Sequence, residues 1–211
     1  MTNCIFCNNN RKLFLTKKSY DTEKLYFYED NFFSISSDLY PIITGHILII
    51  PHNHYASFGA INNAELVRNI KLKAEEILNT SDLLFFEHGA VKEGEGGTSI
   101  DHAHLHAMPR PKYVDTSFID QYVEESGCIK EKKVVATYET INQFYKNGQS
   151  YIYYELQKNS FAYPVHNIPH QFLRLMFQKV LHVNCNWREM YTTDIAKNNV
   201  LKTVEYINGL K

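Results

Sequence analysis

The segment SIDHAHLHAMPRP carries three histidines at every second position: His102, His104 and His106. In an extended chain, successive side chains point to opposite sides, so a strand here would present all three imidazoles on one face. Such a face makes a poor core, because each buried ring nitrogen needs a hydrogen-bond partner. The pattern favours a metal site, a nucleophile with helper groups, or both, over a solvated strand face.

The chain begins with a Cys-x-x-Cys pair, Cys4 and Cys7, whose spacing lets two thiolates bind one metal ion. A redox pair is the alternative, but thioredoxin-type pairs follow a strand and open a helix, and we expect this pair to precede both. A four-ligand site needs two more donors, which His54 and His102 could supply. The sequence thus predicts a Cys2His2 zinc site that ties the N-terminus to the central sheet.

If zinc takes His102, then His104 and His106 remain on the same face, beside the Gly-rich loop KEGEGGTS. A neutral imidazole is a competent nucleophile towards phosphorus, and covalent catalysis divides one difficult step into two easier ones. Phosphoryl-type transfer also needs donors for the non-bridging oxygens. Backbone N–H groups of the loop and the Ser99 hydroxyl suit that purpose.

The elements that must position these residues are those of an α+β domain, an antiparallel sheet packed with one main helix. The clearest helix spans about 63–78, where apolar residues recur at the 3.6-residue period, and Asn62 with Glu65 resembles its capping box. Strands are predicted from alternating or β-branched runs bounded by turn residues, at 12–16, 24–30, 32–37, 46–50, 82–89 and through the histidines.

The rest of the chain, nearly half of it, is predicted to be a C-terminal strand and helix extension, so that residues 1–112 form the first domain and 113–211 pack on it. We expect a strand pair near 132–138 and 151–156, joined through Asn-Gly-Gln-Ser, and helices near 169–182 and 194–208.

Composition excludes several classes of protein. The 211 residues carry a formal net charge of −1 and are 44% hydrophobic, typical of a globular protein without a field that attracts nucleic acid. No apolar run approaches the roughly 18–20 residues that span a bilayer. The N-terminus lacks the apolar core of a signal peptide, so we expect a cytoplasmic protein with reduced thiols.

The stretch DHAHLHAMP resembles the signature of the histidine triad (HIT) superfamily, His-φ-His-φ-His-φ-φ with φ apolar, and fits it at every position. Three further segments match in the expected order: CIFC, TGHILIIPHNH and GGTSIDHAH. The resemblance covers about residues 4–112. The FEHG segment before the long Gly loop is similar to a bacterial branch with a C-terminal extension, close to dinucleoside polyphosphate hydrolases and phosphorylases.

The resemblance implies a HIT-like fold and a role for each matching residue. The triad is the catalytic group, in which His104 attacks the α-phosphorus of a nucleotide and His106 contacts the phosphate and the leaving group. His102 would be a structural zinc ligand with Cys4, Cys7 and His54. On the substrate side, the resemblance implies contacts from His46 and Ser99 to phosphate and from Asp38 to the ribose hydroxyls.

Two positions depart from the family pattern. Thr98 stands where some members carry Gln, which puts its substrate contact in doubt, and His52 is an extra imidazole that could replace His54 as a metal ligand. His106 stands where the uridylyltransferase branch carries Gln, and this favours hydrolysis over sugar-phosphate transfer.

The sequence therefore predicts a nucleotide hydrolase that acts on dinucleoside polyphosphates or related conjugates, and the resemblance implies a homodimer. The alternatives are a phosphorylase or transferase with the same histidine, a metal enzyme in which all three histidines bind a catalytic ion, and a non-catalytic nucleotide-binding protein. The near-neutral charge argues against a nucleic-acid deadenylase.

Overall fold

A single antiparallel sheet organises the computed structural model, which describes residues 4–92, 97, 100–183 and 194–210. Its strands are β1 (Tyr26–Glu29), β2 (Phe33–Ser37), β3 (Ile47–Pro51), β4 (Leu83–Gly89), β5 (Leu105–Pro109), β6 (Val134–Val135), β7 (Tyr151–Leu156) and β8 (Asn159–Pro164). They lie in the order β1-β2-β3-β5-β4-β7-β8-β6, and every neighbouring pair is antiparallel.

Helices cover both faces of this sheet. They are α1 (Asn8–Lys17), α2 (Thr22–Leu25), α3 (Ala64–Ile77), α4 (Thr116–Ser126), α5 (Tyr138–Lys146), α6 (Phe172–Val180) and α7 (Ile195–Gly209), with a 3-10 turn at Phe58–Ala60. Helices α3 and α5 pack on one face, whereas α4 and α6 pack on the other. Helix α7 packs with α1 at a third, smaller core beside β2.

Strand β4 separates the two main cores. Its side chains alternate, so that Leu83 and Phe85 join the core under α3, and Leu84 and Phe86 join the core under α6. Because both faces are covered, the first four residues of the strand, Leu83 to Phe86, are all apolar. His106 pairs in register with Phe86, and it therefore lies on the face that α6 covers.

The structure confirms the α+β class, the strands predicted within 24–30, 32–37, 46–50 and 82–89, and the helix predicted at 63–78. It corrects the cap of that helix, because the side chain of Asn63, and not of Asn62, accepts the Leu66 N–H at 2.9 Å. The predicted helices near 169–182 and 194–208 are also present, as α6 and α7.

Three predicted strands are wrong in whole or part. Residues 12–16 belong to α1, whose buried side is formed by Arg11 and Leu15, four residues apart. The segment near 132–138 contributes only β6, which pairs with β8, while β7 pairs with β4 and β8. The histidine strand begins only at Leu105, because Ala103 N–H bonds to Tyr55 beyond β3. The sequence reading missed α4, α5 and β8.

The predicted extension continues the sheet of the first part. Strand β7 pairs with β4 along its whole length, from Leu84 with Leu156 to Gly89 with Tyr151. Gly89 is needed for this close approach, since a Cβ there would lie 2.1 Å from Cζ of Tyr151. The division into domains at residue 112 stays a prediction, although strands from both sides of it share one sheet.

Candidate functional site

Four predicted metal ligands come together beside the end of β3. The ligand atoms of Cys4, Cys7, His54 and His102 all lie within 4.8 Å of one another. Sγ of Cys7 lies 3.1 Å from Nδ1 of His54 and 3.5 Å from Nδ1 of His102, which is also 3.5 Å from Sγ of Cys4. The Cys pair precedes both the first described strand and α1, which begins directly after Cys7.

Cys4, Cys7, His54 and His102 are called the outer cluster, and their chemistry fits a four-coordinate metal ion. Usual Zn–S and Zn–N bond lengths give a tetrahedral S···N edge of about 3.5 Å, in agreement with the two contacts of His102. Nε2 of His102 lies 2.8 Å from the Pro51 carbonyl, so it carries the ring proton and leaves a lone pair on Nδ1, which faces the sulfurs. The cluster could therefore hold a metal ion.

His52 lies outside this outer cluster. Its Nε2 atom is 2.9 Å from the Ser34 hydroxyl and 4.0 Å from a carboxylate oxygen of Glu29. Of the two histidines that follow β3, the geometry therefore brings His54, and not His52, to the two cysteines.

A cavity of about 260 Å³ opens beside the triad on the sheet face that α6 covers. It combines an apolar wall with charged and imidazole side chains. Its lining comes from the N-terminal segment, the β2–β3 connection, β4, the histidine segment and α6: Ile5, Phe6, Arg11, Phe14, Asp38, Leu39, Tyr40, Leu48, Phe86, His88, Ile100, His104, His106, Gln171, Leu173 and Arg174.

The protonation of His104 is set by a backbone contact. Its Nδ1 atom lies 2.7 Å from the carbonyl oxygen of His102, so Nδ1 carries the proton and donates it there. The neutral ring then has its lone pair on Nε2. The His104 ring also packs nearly perpendicular to the ring of Phe6, with the centroids 5.2 Å apart.

His46 and His106 share one proton in a chain of hydrogen bonds. The Ile42 N–H donates to Nδ1 of His46 at 3.0 Å, so the proton of the neutral His46 ring must be on Nε2. Nε2 of His46 lies 2.9 Å from Nδ1 of His106, which accepts that proton. His106 therefore keeps its own proton on Nε2, and it stacks on Phe86 with centroids 4.3 Å apart.

Asp38 lies buried beside this pair and is held by Arg174. Its Oδ2 atom accepts from Nη2 of Arg174 at 2.5 Å, and its Oδ1 atom accepts the Tyr40 N–H at 2.7 Å. The same Oδ2 lies 3.5 Å from Nδ1 of His106 and 3.6 Å from Nε2 of His46. These three residues could by type hold a second metal ion. The proton on Nε2 of His46 and the Arg174 contact oppose that arrangement.

Burial keeps the imidazoles of the cavity neutral. It lowers the pKa of His46 to about 4 and the pKa values of His104 and His106 to about 3. Burial alone would raise the pKa of the Asp38 carboxyl, but the Arg174 guanidinium and the two neighbouring imidazoles hold that pKa well below its usual range. The cavity thus combines neutral imidazoles with an ionised carboxylate and two guanidinium groups.

Ser99 and Thr98, both predicted to contact substrate, lie outside the described residues. The structure brings the other predicted site residues into two adjoining groups. Cys4, Cys7, His54 and His102 form the outer cluster, and His104, His106, His46 and Asp38 line the cavity or its wall.

The sequence reading missed two arginines of the cavity. Arg174 is 8% exposed on α6, and Arg11 is 4% exposed on α1, where its Nη2 donates to the Ser36 hydroxyl at 2.7 Å. Nε of Arg11 has no hydrogen-bond partner among the described residues. An available signal was Arg174 itself, a cation within the otherwise apolar helix segment FLRLMF.

Comparison with known proteins identifies the family. The family model described as HIT domain matches residues 20–113. Protein HitA of Neisseria gonorrhoeae is 30% identical over 114 residues, which cover 53% of this chain and 99% of that protein. The chain therefore belongs to the HIT domain family.

Two solved structures are also similar to this chain. A HIT family hydrolase from Clostridium thermocellum is 24% identical, covers 55% of this chain and 96% of its own, and has a TM-score of 0.40. The yeast Ap4A phosphorylase Apa2, in complex with AMP, is 13% identical over 72% of this chain and 64% of its own, with a TM-score of 0.47. In the described part of the chain, no helix combines the length and apolar character that a membrane span requires.

Proposed function

We propose that this member of the HIT superfamily is a nucleotide hydrolase that acts at the α-phosphate through a nucleotidyl-His104 intermediate. Membership of the superfamily supports the broader class, a nucleotide hydrolase or transferase. Dinucleoside polyphosphates, or related nucleotide conjugates, are the proposed substrates.

One observation carries the assignment of the nucleophile: the contact between Nδ1 of His104 and the His102 carbonyl. It fixes the tautomer whose Nε2 is unprotonated, and an imidazole with a free lone pair attacks phosphorus without first losing a proton. Because the chain fixes the ring before substrate arrives, little reorganisation is required at the moment of attack.

The proposed reaction has two steps. Nε2 of His104 forms a bond to the α-phosphorus as the bond to the leaving group breaks, and Nε2–H of His106 donates a hydrogen bond to the departing oxygen, which leaves as an anion. Water then attacks the phosphorus and releases a proton to solvent, the P–N bond breaks with its electrons returning to Nε2 of His104, and a nucleoside monophosphate leaves. Inorganic phosphate in place of water would release a nucleoside diphosphate, as in a phosphorylase.

Substrate contacts follow from the lining of the cavity. We assign the apolar wall around Phe6 and Leu48 to the base, and Asp38 to the ribose hydroxyls, because each carboxylate oxygen retains a lone pair beyond its present partner. His46 supports the phosphate side through His106. Ser99 remains a proposed phosphate contact, and Thr98 remains a proposed substrate contact.

Zinc is proposed as a structural ion, held by Cys4, Cys7, His54 and His102. Four protein ligands leave no open position for water, so the ion would stabilise the fold and take no part in the reaction. His102 then serves twice, since its ring is a ligand while its carbonyl orients His104. A homodimer is also proposed, and light scattering of the purified chain would test it.

The first experiment is a substrate panel with a matched variant. Diadenosine polyphosphates, an adenosine phosphoramidate and a nucleotide sugar are incubated with and without inorganic phosphate, and the products are separated by chromatography. We expect a nucleoside monophosphate from one class, and no product with the His104→Ala variant. The exposed His166 provides the control, because His166→Ala should retain full activity.

Other outcomes separate the alternatives. Diphosphate formed only with added phosphate would make the protein a phosphorylase, and nucleotide binding without product would make it a binding protein. An active His104→Ala variant, or activity that requires added metal and forms no covalent intermediate, would contradict the proposal.

A further inference from the structure

Helix α6 of the C-terminal part reaches the cavity with one charged side chain. Arg174 stands among apolar residues of this helix that are buried in the core on the same sheet face, such as Leu173 and Phe177. A guanidinium in such surroundings is costly unless it is paired and hydrogen-bonded. Its partners therefore indicate what it does there.

Arg174 joins two acceptors of the β2–β3 connection. Its Nη2 donates to Oδ2 of Asp38 and its Nη1 donates to the Tyr40 carbonyl, both at 2.5 Å. Two donors directed at one short loop give a fixed geometry that a point charge does not supply. The carboxylate is thereby held at one place beside the imidazole pair.

The position of that carboxylate matters because of what lies next to it. Oδ2 of Asp38 is 3.5 Å from Nδ1 of His106 and 3.6 Å from Nε2 of His46, and these two nitrogens are only 2.9 Å apart. One proton fits between the nitrogens, whereas two protons would repel each other. A second proton on the pair would therefore separate the rings and move His106 from its place on Phe86.

We propose that Arg174 is a positioning residue, which offsets the charge of Asp38 so that His46 and His106 keep a single proton between them. The proposal rests on the proposed function for its kinetic test, although the protonation of the pair can be measured without turnover. It makes the C-terminal part a contributor to the site.

The charges around the pair set the sign of the effect. Asp38 favours protonated imidazoles, while Arg174 opposes them, and the remaining neighbours are neutral at physiological pH. Without Arg174 the carboxylate would stand alone beside the rings and raise their pKa. The titratable or charged groups that face the pair are Asp38 on the β2–β3 connection, Arg174 on α6, His88 on β4 and His104 before β5.

The central test is the pH dependence of kcat/KM for Arg174→Gln in the full-length protein. Removal of one neighbouring charge shifts a pKa by about 1–3 units, so the acid limb of the profile should move upward by that amount. Arg174→Lys keeps the cation and should restore most of the wild-type profile. We expect kcat to fall more than KM rises.

Substitution of Asp38 should shift the pH profile in the opposite direction. Asp38→Asn leaves Arg174 without its partner, so the acid limb should move to lower pH. The double variant loses both charges, and its limb should return close to that of the wild type, whatever happens to its KM. These two variants keep the test decisive if Arg174→Gln folds poorly.

A matched control is the pair formed by Arg110 and Asp82, with contacts of 2.7 and 2.8 Å, which lies away from the cavity. Arg110→Gln also breaks a partly buried arginine–aspartate pair, so it should lower stability without moving the acid limb. An equal shift in this variant would overturn the proposal.

A measurement that needs no substrate separates this inference from the proposed function. The imidazole NMR signals of His46 and His106 should titrate at higher pH in Arg174→Gln than in the wild type, even if no nucleotide is turned over. Unchanged titration would overturn the proposal. So would a loss of kcat/KM that arises entirely from KM with an unmoved acid limb, because Arg174 would then bind substrate directly.

Discussion

Two histidine clusters lie side by side in this protein and differ in which ring nitrogen faces inward. In the outer cluster, Nε2–H of His102 donates to the Pro51 carbonyl. The lone pair on Nδ1 of His102 therefore faces the sulfurs of Cys4 and Cys7. In the inner cluster, formed by Asp38, His46 and His106, the Ile42 N–H occupies the lone pair on Nδ1 of His46. An N–H therefore faces its neighbours.

The difference shows that residue types alone do not make a metal site. Both clusters contain histidine with another ligand type at close range. A carbonyl behind the ring leaves an inward lone pair for a metal ion, whereas an N–H behind the ring leaves an inward proton for a hydrogen bond. The backbone partner thus decides between coordination and acid–base chemistry.

The largest predicted effect breaks the outer cluster. Cys7→Ala should abolish stoichiometric zinc and lower stability by several kcal/mol, on the order of a third or more of the roughly 10 kcal/mol that structural zinc contributes to small domains. Metal analysis and thermal unfolding measure both quantities. Cys128→Ala is the matched control, because that thiol is exposed and outside the cluster. Full zinc content in Cys7→Ala would contradict the site.

The second prediction concerns the inner cluster. His106→Asn should lower kcat by about 10²–10³-fold, because the imidazole that donates a hydrogen bond to the departing oxygen is lost, while the zinc content stays unchanged. The same purified samples serve for steady-state kinetics and metal analysis. Loss of zinc in His106→Asn would mean that the two clusters do not act separately.

The third prediction uses the pKa of His46, which burial lowers to about 4. Below pH 6.5 the unfolded chain binds protons that the folded chain does not, so this group's stability is lost as pH falls towards 4. The loss is about 2 kcal/mol between pH 6.5 and 5. Urea unfolding of the wild type should show it.

The variant His46→Asn should remove that share of the pH dependence, and its amide oxygen can still accept from Ile42. His166→Asn, at an exposed position, should leave the dependence as it is in the wild type. If both variants show the wild-type dependence, His46 does not stay neutral when folded.

The smallest predicted effect concerns the stability of α3, which lies away from both clusters. Asn63→Ala removes the cap that accepts the Leu66 N–H and should cost about 1 kcal/mol of stability. Zinc content and kcat should remain those of the wild type. A change in either would show that α3 is coupled to a cluster, and that the effects above are not local.

Local pattern predicted the elements whose periodicity and burial agree. Helix α3 and strands β2, β3 and β4 were recognised because one face or both faces of each are apolar. Residues 12–16 misled because Leu13 and Leu15 alternate like a strand, yet Leu13 is 58% exposed and only Leu15 is buried. A two-residue strand such as β6 has no period of its own, and its pairing depends on β8.

Within the site, the sequence predicted which residues take part better than it predicted which of them contact one another. The Cys-x-x-Cys pair and the alternating histidines identified the two groups, and the choice between His52 and His54 needed the direction of the chain after β3. Arg174 lies 136 residues from Asp38, so no spacing rule connects them.

By itself, the sequence determined the family, the α+β class and the side chains able to bind metal or attack phosphorus, because these depend on residue type and short spacing. The tertiary structure decided the protonation of His102 and His106, because their ring partners, the Pro51 carbonyl and the His46 imidazole, are distant in sequence. It also decided that β7 and α6 belong with the triad, since sheet pairing and core packing bring together segments that no local pattern links.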